Sequence, residues 1–243
     1  MSAAGFQIRL EDLHYQAGGR VILNGISLQS QARRIGVVGQ NGSGKSTLAR
    51  VVAGLIAPDQ GRVTICGADM LRDRKAALRS VGMLFQNPEH QIIFPTVREE
   101  IAFGLRQLGQ SRTEADEGAG AMLARFDRAH WLDLPVSILS QGQKHLLCIM
   151  AVLAMRPALL IMDEPFAGLD IPTRMRLARI LDGAGVALLH ISHDPQDLQG
   201  YDEVFWLDQG AIRAHGLAGE VLPDFTAEMI RQGECDDLAD LAG

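Results

Sequence analysis

At 243 residues, 47% of them hydrophobic and 26 of them glycine, the chain can bury one sizeable core with room for an inserted subdomain, which excludes a fibre or a disordered polymer. Its 29 acidic residues outnumber 23 basic ones for a formal charge of -6, so no global positive field draws it to DNA, RNA or anionic lipid. Cys66, Cys148 and Cys235 are widely spaced, with no CxxC or Cys/His cluster, and fit reduced thiols in a cytoplasmic protein better than a disulfide frame or a zinc site.

In chain order, Gln7, Arg9, Glu11 and Asp12 interrupt any apolar opening segment, so no secretory signal is expected. From Ile8 to Leu28 the pattern "IRLEDLHYQAGGRVILNGISL" alternates apolar and polar residues around Gly18-Gly19, which predicts two antiparallel strands joined by a tight turn. "RIGVVG" reads as a short buried strand and "KSTLARVVAGL" has helical spacing, so the glycine-rich segment between them joins strand to helix. Between about Pro88 and Pro157 the patterns turn helical, among them "VREEIAFGLRQLG" and "TEADEGAGAMLARF", and predict an inserted helical subdomain. Its most apolar run, Leu146 to Met155, stops at Arg156-Pro157, short of the roughly 20 residues needed to cross a bilayer, so the chain is expected to be soluble alone. "ALLIMDEP" and "VALLHISHD" are continuous apolar runs ending in charged residues, as buried parallel strands with chemistry at their carboxyl ends would be. A short terminal helix with an acidic end is expected after Asp224. The organisation predicted is one α/β domain: residues 1–87 and 158–225 form the core with an antiparallel β layer, 88–157 a helical subdomain, and 226–243 a C-terminal tail.

Gly39 to Thr47, "GQNGSGKST", fits G-x-x-x-x-G-K-[ST] in the strand-to-helix setting that the pattern requires. Gly39, Gly42 and Gly44 let the backbone curl until successive N–H groups, with those of Asn41, Ser43 and Thr47 in the same segment, face a phosphate at a helix's positive end. Lys45 would reach the β and γ phosphates and Ser46 would give its hydroxyl to a magnesium ion. This loop alone does not separate GTPases, kinases and ATPases. Asp163 and Glu164, just beyond a buried strand, narrow the choice: one carboxylate can hold the magnesium shell and the next can orient attacking water. No NKxD or TKxD string is present to read guanine, which argues against a GTPase.

"ILSQGQKHLLCIM" opens a second helix mouth, where the Ser140 hydroxyl and the Gly142 N–H again suit an anion. Because a cradle already exists elsewhere, the simplest arrangement is a dimer in which Ser140 of one chain closes on the γ-phosphate held by the other. An ordinary N-cap at Ser140 is the alternative.

"GQNGSGKST", "LSQGQK", "LLIMDEP", "AGLD" and "ISHD" occur in an order and spacing that resemble the ATP-binding-cassette ATPases, from Leu10 to about Gly219. The resemblance implies a P-loop NTPase fold with a RecA-like parallel core, ATP and Mg2+ as ligands, and further roles. Tyr15 looks like the aromatic that stacks on adenine, and Gln86 like the hinge glutamine that contacts magnesium and water. By the same similarity Asp163 is the magnesium-shell carboxylate, Glu164 the catalytic base and His193 the switch histidine. Asp170 then belongs to the loop that crosses a dimer interface, and Ser140, Gly142 and Gln143 to the signature that meets nucleotide. His190, earlier on the presumed strand, is expected on the same side as His193 and is read as core packing. Gln141 stands where many relatives carry glycine, and His145-Leu146 replace a common basic pair.

"NPEHQIIFPTVREEIAFG", after Gln86, resembles the partner-docking region of energy-coupling-factor transporter ATPases, which drive bacterial uptake of vitamins and of cobalt or nickel ions. "DEPFAGLDIPTR" and the short C-terminus look more like the biotin-type members than the longer metal-type ones. The implied partners are a second ATPase, identical or related, a transmembrane coupling subunit and a substrate-binding membrane subunit, at the cytoplasmic face of the membrane. A soluble cassette protein acting on DNA or ribosomes would need a coiled coil, a tandem cassette or a basic surface, and none is evident. A phosphotransferase would leave Ser140 to Asp170 unexplained.

Overall fold

Alternating apolar and polar residues build β1 (Ile8–Ala17) and β2 (Arg20–Ser30), which pair antiparallel from Ile8 opposite Ser30 to Ala17 opposite Arg20. Gly18 and Gly19 both take positive φ, as a two-residue turn that follows the strand twist demands. The computed structural model describes residues 5–235. β3 (Arg34–Val38) runs into α1 (Lys45–Val52), followed by β4 (Gln60–Ile65), β5 (Ala68–Asp69), α2 (Arg74–Ser80) and β6 (Val81–Leu84). Three long helices come next: α3 (Val97–Gln107), α4 (Arg112–Arg125) and α5 (Gln141–Ala154). β7 (Leu159–Asp163), α6 (Ile171–Gly183), β8 (Ala187–Ile191), β9 (Glu203–Asp208), β10 (Ala211–Leu217) and α7 (Ala218–Cys235) complete the described chain.

The strands form two sheets. An antiparallel layer runs in the order β2-β1-β4-β5, and a larger sheet in the order β10-β9-β3-β8-β7-β6 is parallel except for its β10 edge. The α/β class expected from the alternating pattern is therefore present. Pleating sends successive side chains of β7 to opposite faces: Leu159 and Ile161 join the core under the β layer and α1, whereas Leu160 and Met162 join the core under α3, α4 and α5. All five β7 residues are buried, and each such Leu or Ile contributes about 1.5–3 kcal/mol. A third, smaller core joins Val38 and Trp206 of the sheet to Leu222 and Phe225 of α7.

Caps explain where the helices begin. The Thr96 hydroxyl accepts from Glu99 N–H ahead of α3, and Ser111 with Glu114 closes a reciprocal capping box ahead of α4. α7 begins at Ala218, upstream of the start expected after Asp224, and carries Pro223 inside. The carbonyl that Pro223 leaves without an amide partner, that of Gly219, belongs to an exposed residue and is open to water, so the helix survives. The acidic end expected at the C-terminus lies outside the described residues. No helix among the described residues is long and apolar enough to cross a membrane.

Candidate functional site

β3 delivers the chain to Gly39, where an added Cβ would lie 2.3 Å from the Leu207 carbonyl oxygen, so only glycine passes. Gly44, at φ 102°, precedes α1 in the left-handed region and supplies no side-chain cap, which leaves the first N–H groups of the helix free for a ligand. Lys45 opens that helix almost fully buried, its Nζ donating to the Gly39 carbonyl at 2.7 Å and the Gln40 carbonyl at 2.8 Å. Burial pushes the ammonium below its ordinary pKa, and the negative charges of Glu164 and Asp163 oppose that shift. Ser43 Oγ is buried without a hydrogen-bond partner. Asn41, Gly42, Gly44, Ser46 and Thr47, with Lys45, line a cavity of about 440 Å3 that Glu164 also borders.

The rest of that wall comes from the β1–β2 hairpin, as Ala17, Arg20, Val21 and Ile22. Tyr15 stands further from the turn, half-buried and packed on the core, and does not line the cavity. Sequence reasoning missed the hairpin residues because an Arg-Val-Ile strand start carries no ligand signal of its own.

Asp163 ends β7, nearly buried, with the Ser46 hydroxyl beside its carboxylate. Burial raises its pKa; the Ser46 hydroxyl opposes that rise and the neighbouring Glu164 charge adds to it. The Ser46 and Asp163 oxygens suit a small hard cation that keeps water and phosphate as its other ligands, and no larger His/Cys/Asp/Glu cluster exists among the described residues. Glu164 takes φ 49°, a left-handed conformation that costs a non-glycine residue about 1 kcal/mol or more, and its N–H donates to the Ile191 carbonyl at 2.9 Å. The strained turn aims the carboxylate at His193, whose Nδ1 lies 2.9 Å from Glu164 Oε2.

β8 ends at Ile191, so His193 has left the strand and the shared side expected for His190 and His193 does not exist. His190 is core, as read: its Nδ1 lies 2.8 Å from the Tyr201 hydroxyl and its ring meets Phe166 edge-on at 5.5 Å. Burial pushes its pKa down to about 3. Gln86 sits exposed two residues past the end of β6, the edge strand that pairs parallel with β7.

Ser140, Gln141, Gly142, Gln143 and Asp170 line a different cavity, of about 630 Å3. The two cavities have no lining residue in common. At this corner Ser140 caps α5: its hydroxyl accepts from Gln143 N–H, and Gln143 Oε1 accepts from Ser140 N–H at 2.8 Å. Gln143, expected among the nucleotide contacts, is thus engaged in the capping box within one chain. Asp170 likewise caps α6, accepting from Thr173 N–H at 2.8 Å. A Cβ on Gly142 would lie 2.7 Å from the Thr173 methyl, a close approach that sequence spacing could not reveal. His145 and Leu146 are both buried, and His145 Nδ1 bonds the Gln141 carbonyl at 3.0 Å, so the unusual pair serves the helical core.

A parallel sheet that brings a phosphate loop and a water-facing carboxylate to the carboxyl ends of its strands is the nucleotide site of a P-loop hydrolase. Residues 23–167 match the family described as ABC transporter, and the chain belongs to that family, whose ATP-binding subunits hydrolyse ATP. It is 47% identical over 220 residues, 89% of this chain and 94% of the relative, to the biotin transport ATP-binding protein BioM of Rhodobacter capsulatus. A protein of the same name in Rhizobium etli is 37% identical over 88% of this chain and 96% of its own length. Among solved structures, cbiO1 of Clostridium perfringens, part of the ABC transporter complex cbiONQ, superposes with a TM-score of 0.77 at 29% identity, covering 94% of each chain.

Proposed function

We propose that the chain is the ATP-hydrolysing subunit of an energy-coupling-factor type importer, acting on a vitamin such as biotin from the cytoplasmic face of the membrane. The observation that carries the reading is the division of the site into two cavities within one chain with no lining residue in common, one at the phosphate loop and one at the capped mouth of α5. The 47% identity to a biotin transport ATP-binding protein supports the vitamin, and the likeness to a member of cbiONQ keeps cobalt or nickel as the alternative cargo.

In this reading Gly39, Asn41, Gly42, Ser43, Gly44 and Thr47 cradle the phosphates of ATP, and Lys45 turns from its two carbonyls to the β and γ oxygens. Mg2+, held by Ser46 and Asp163 with Gln86 nearby, supplies charge neutralisation at the phosphate oxygens when bound. The hairpin wall of Arg20, Val21 and Ile22 carries the base, with Tyr15 behind it on β1 rather than lining the cradle. Glu164 accepts the proton of the attacking water as the bond from the γ-phosphorus to the leaving oxygen breaks, and His193 holds that carboxylate in place. Ser140, Gly142, Gln143 and Asp170 of a second copy, or of a related ATPase, close the open side. The loop after Gln86 meets the transmembrane coupling subunit. Ile93 is 70% exposed there, and the buried Glu100 carboxylate fixes the loop by accepting from Ile93 and Phe94 N–H at 2.9 Å each. A substrate-binding membrane subunit completes the assembly.

Affinity purification from the native membrane, followed by reconstitution into vesicles with labelled biotin, tests the proposal. A small multispan membrane partner and ATP-dependent biotin uptake are expected. Cobalt or nickel uptake in place of biotin would move the cargo to the alternative, and nucleic acid in the preparation with no membrane partner would defeat the transport reading.

A further inference from the structure

The end of α7 touches the phosphate loop. Gln40 lies between Gly39 and Asn41, and its side-chain Nε2 donates to Oε1 of Gln232. Gln232 donates in turn through Nε2 to Glu228 at 2.7 Å, so both ends of its amide are engaged. Glu228 is held by Arg231 at 2.7 Å and by Arg213, whose guanidinium lies 4.2 Å over the Trp206 ring. Trp206 packs edge-on against Phe225 of α7 at 5.4 Å and pairs in register with Val38, the residue before Gly39. Loop and helix thus rest on one small core. Gln40 also gives its main-chain oxygen to Lys45 Nζ at 2.8 Å and to Ser43 N–H at 3.2 Å. One residue joins the C-terminal helix to the ammonium that must reach the phosphates.

We propose that Gln232 is a positioning residue for the phosphate cradle, and that α7 and bound nucleotide stabilise each other through its bond to Gln40. The inference rests on reading Gly39–Thr47 as the nucleotide cradle. A glycine-rich loop with left-handed residues at Gly42 and Gly44 samples many shapes, and a side-chain anchor at Gln40 removes most of them before the ligand arrives. Less ordering entropy is then lost on binding. Neither glutamine lines the cavity that Lys45 and Glu164 border, so the chemical step is expected to be untouched. The coupling is reciprocal by thermodynamic necessity: a helix that favours nucleotide is favoured by it.

Steady-state hydrolysis by the wild type, Gln232→Leu, Gln40→Leu and the double variant tests the link. One hydrogen bond predicts a KM for ATP raised about three- to tenfold in either single variant, with kcat within about twofold. The double variant is expected to be no worse than the singles, because both remove one bond. Amide exchange in residues 229–233 should slow when ADP is added to the wild type and ignore ADP in Gln232→Leu. An unchanged KM with nucleotide-independent exchange overturns the proposal, as do additive effects or a fall confined to kcat. Wild-type protein that binds no ATP at all would instead remove the cradle reading, and the link with it.

Discussion

The Gly39–Thr47 corner and the Ser140–Asp170 corner are both helix mouths, yet they are finished differently. The first is left unsatisfied: α1 has no side-chain cap, Ser43 Oγ is buried alone, an ammonium is desolvated beside two carboxylates, and Glu164 holds a strained backbone. The second is capped within its own chain, with Ser140 and Asp170 capping α5 and α6 and Gly142 pressed against Thr173, and its one orphaned group among the described residues is His145 Nε2 inside the helical core. On the proposed reading, stored strain and a desolvated ammonium belong to the half that performs chemistry, and a self-capped corner suits a half that docks. A contribution made to another molecule would then leave little electrostatic trace in the chain that supplies it.

The sharpest way to break this contrast is Glu164→Gln. The amide keeps the size and can still bond His193, but it cannot take a proton from water, so hydrolysis should fall at least a hundredfold while nucleotide binding survives. Equilibrium binding and phosphate release measured on the same preparation check it. Retained turnover would place the base elsewhere and erase the distinction between a reacting and a docking corner.

Ser140→Asp sharpens the comparison from the other side. Aspartate caps a helix as well as serine does, so if Ser140 serves only α5, both stability and hydrolysis should be unchanged. If a second copy presents this corner to a γ-phosphate, the new charge faces an anion and hydrolysis should fall about tenfold or more, with nucleotide affinity of the isolated chain unaltered. We expect the second result. A melting temperature measured alongside separates lost folding from lost docking.

How much of this was legible in the sequence follows from what the turns are made of. The β1–β2 hairpin was readable because Gly18-Gly19 is a recognised pair for two positive φ angles. The β4–β5 and β9–β10 hairpins use Cys66-Gly67 and Gln209-Gly210 for the same geometry, forcing Cys66 to φ 49° and Gln209 to φ 46°. Neither first residue announces a turn, so the strands on both sides went unassigned. β6 is only four residues long and is recognisable only beside β7. The cradle was legible because its residues are contiguous and its geometry is local. The Gly142–Thr173 contact, the Gln40–Gln232 bond and the hairpin wall were not, because each depends on how distant elements pack.

The smallest effect expected concerns the link between the corners. Phe166 lies on the connection from Glu164 to Asp170 and packs edge-on against His190, which is neutral in the fold because burial, reinforced by the positive charge of Arg174, pushes its pKa down to about 3. The unfolded chain takes up a proton near pH 6.5, so between that pH and about 3 the unfolded state binds more protons and stability falls as pH falls. The slope is about 1.4 kcal/mol per pH unit below pH 6.5, and this ring contributes no slope above it. Asp163, whose carboxyl is raised, acts with the opposite sign and is common to both proteins in the comparison. Urea unfolding of the wild type and His190→Gln at pH 7 and pH 5.5 reads the difference, since glutamine can keep a bond to Tyr201 without titrating. The wild type should lose about 1 kcal/mol more than the variant over that interval. Equal losses would show that the ring is not held neutral in the fold.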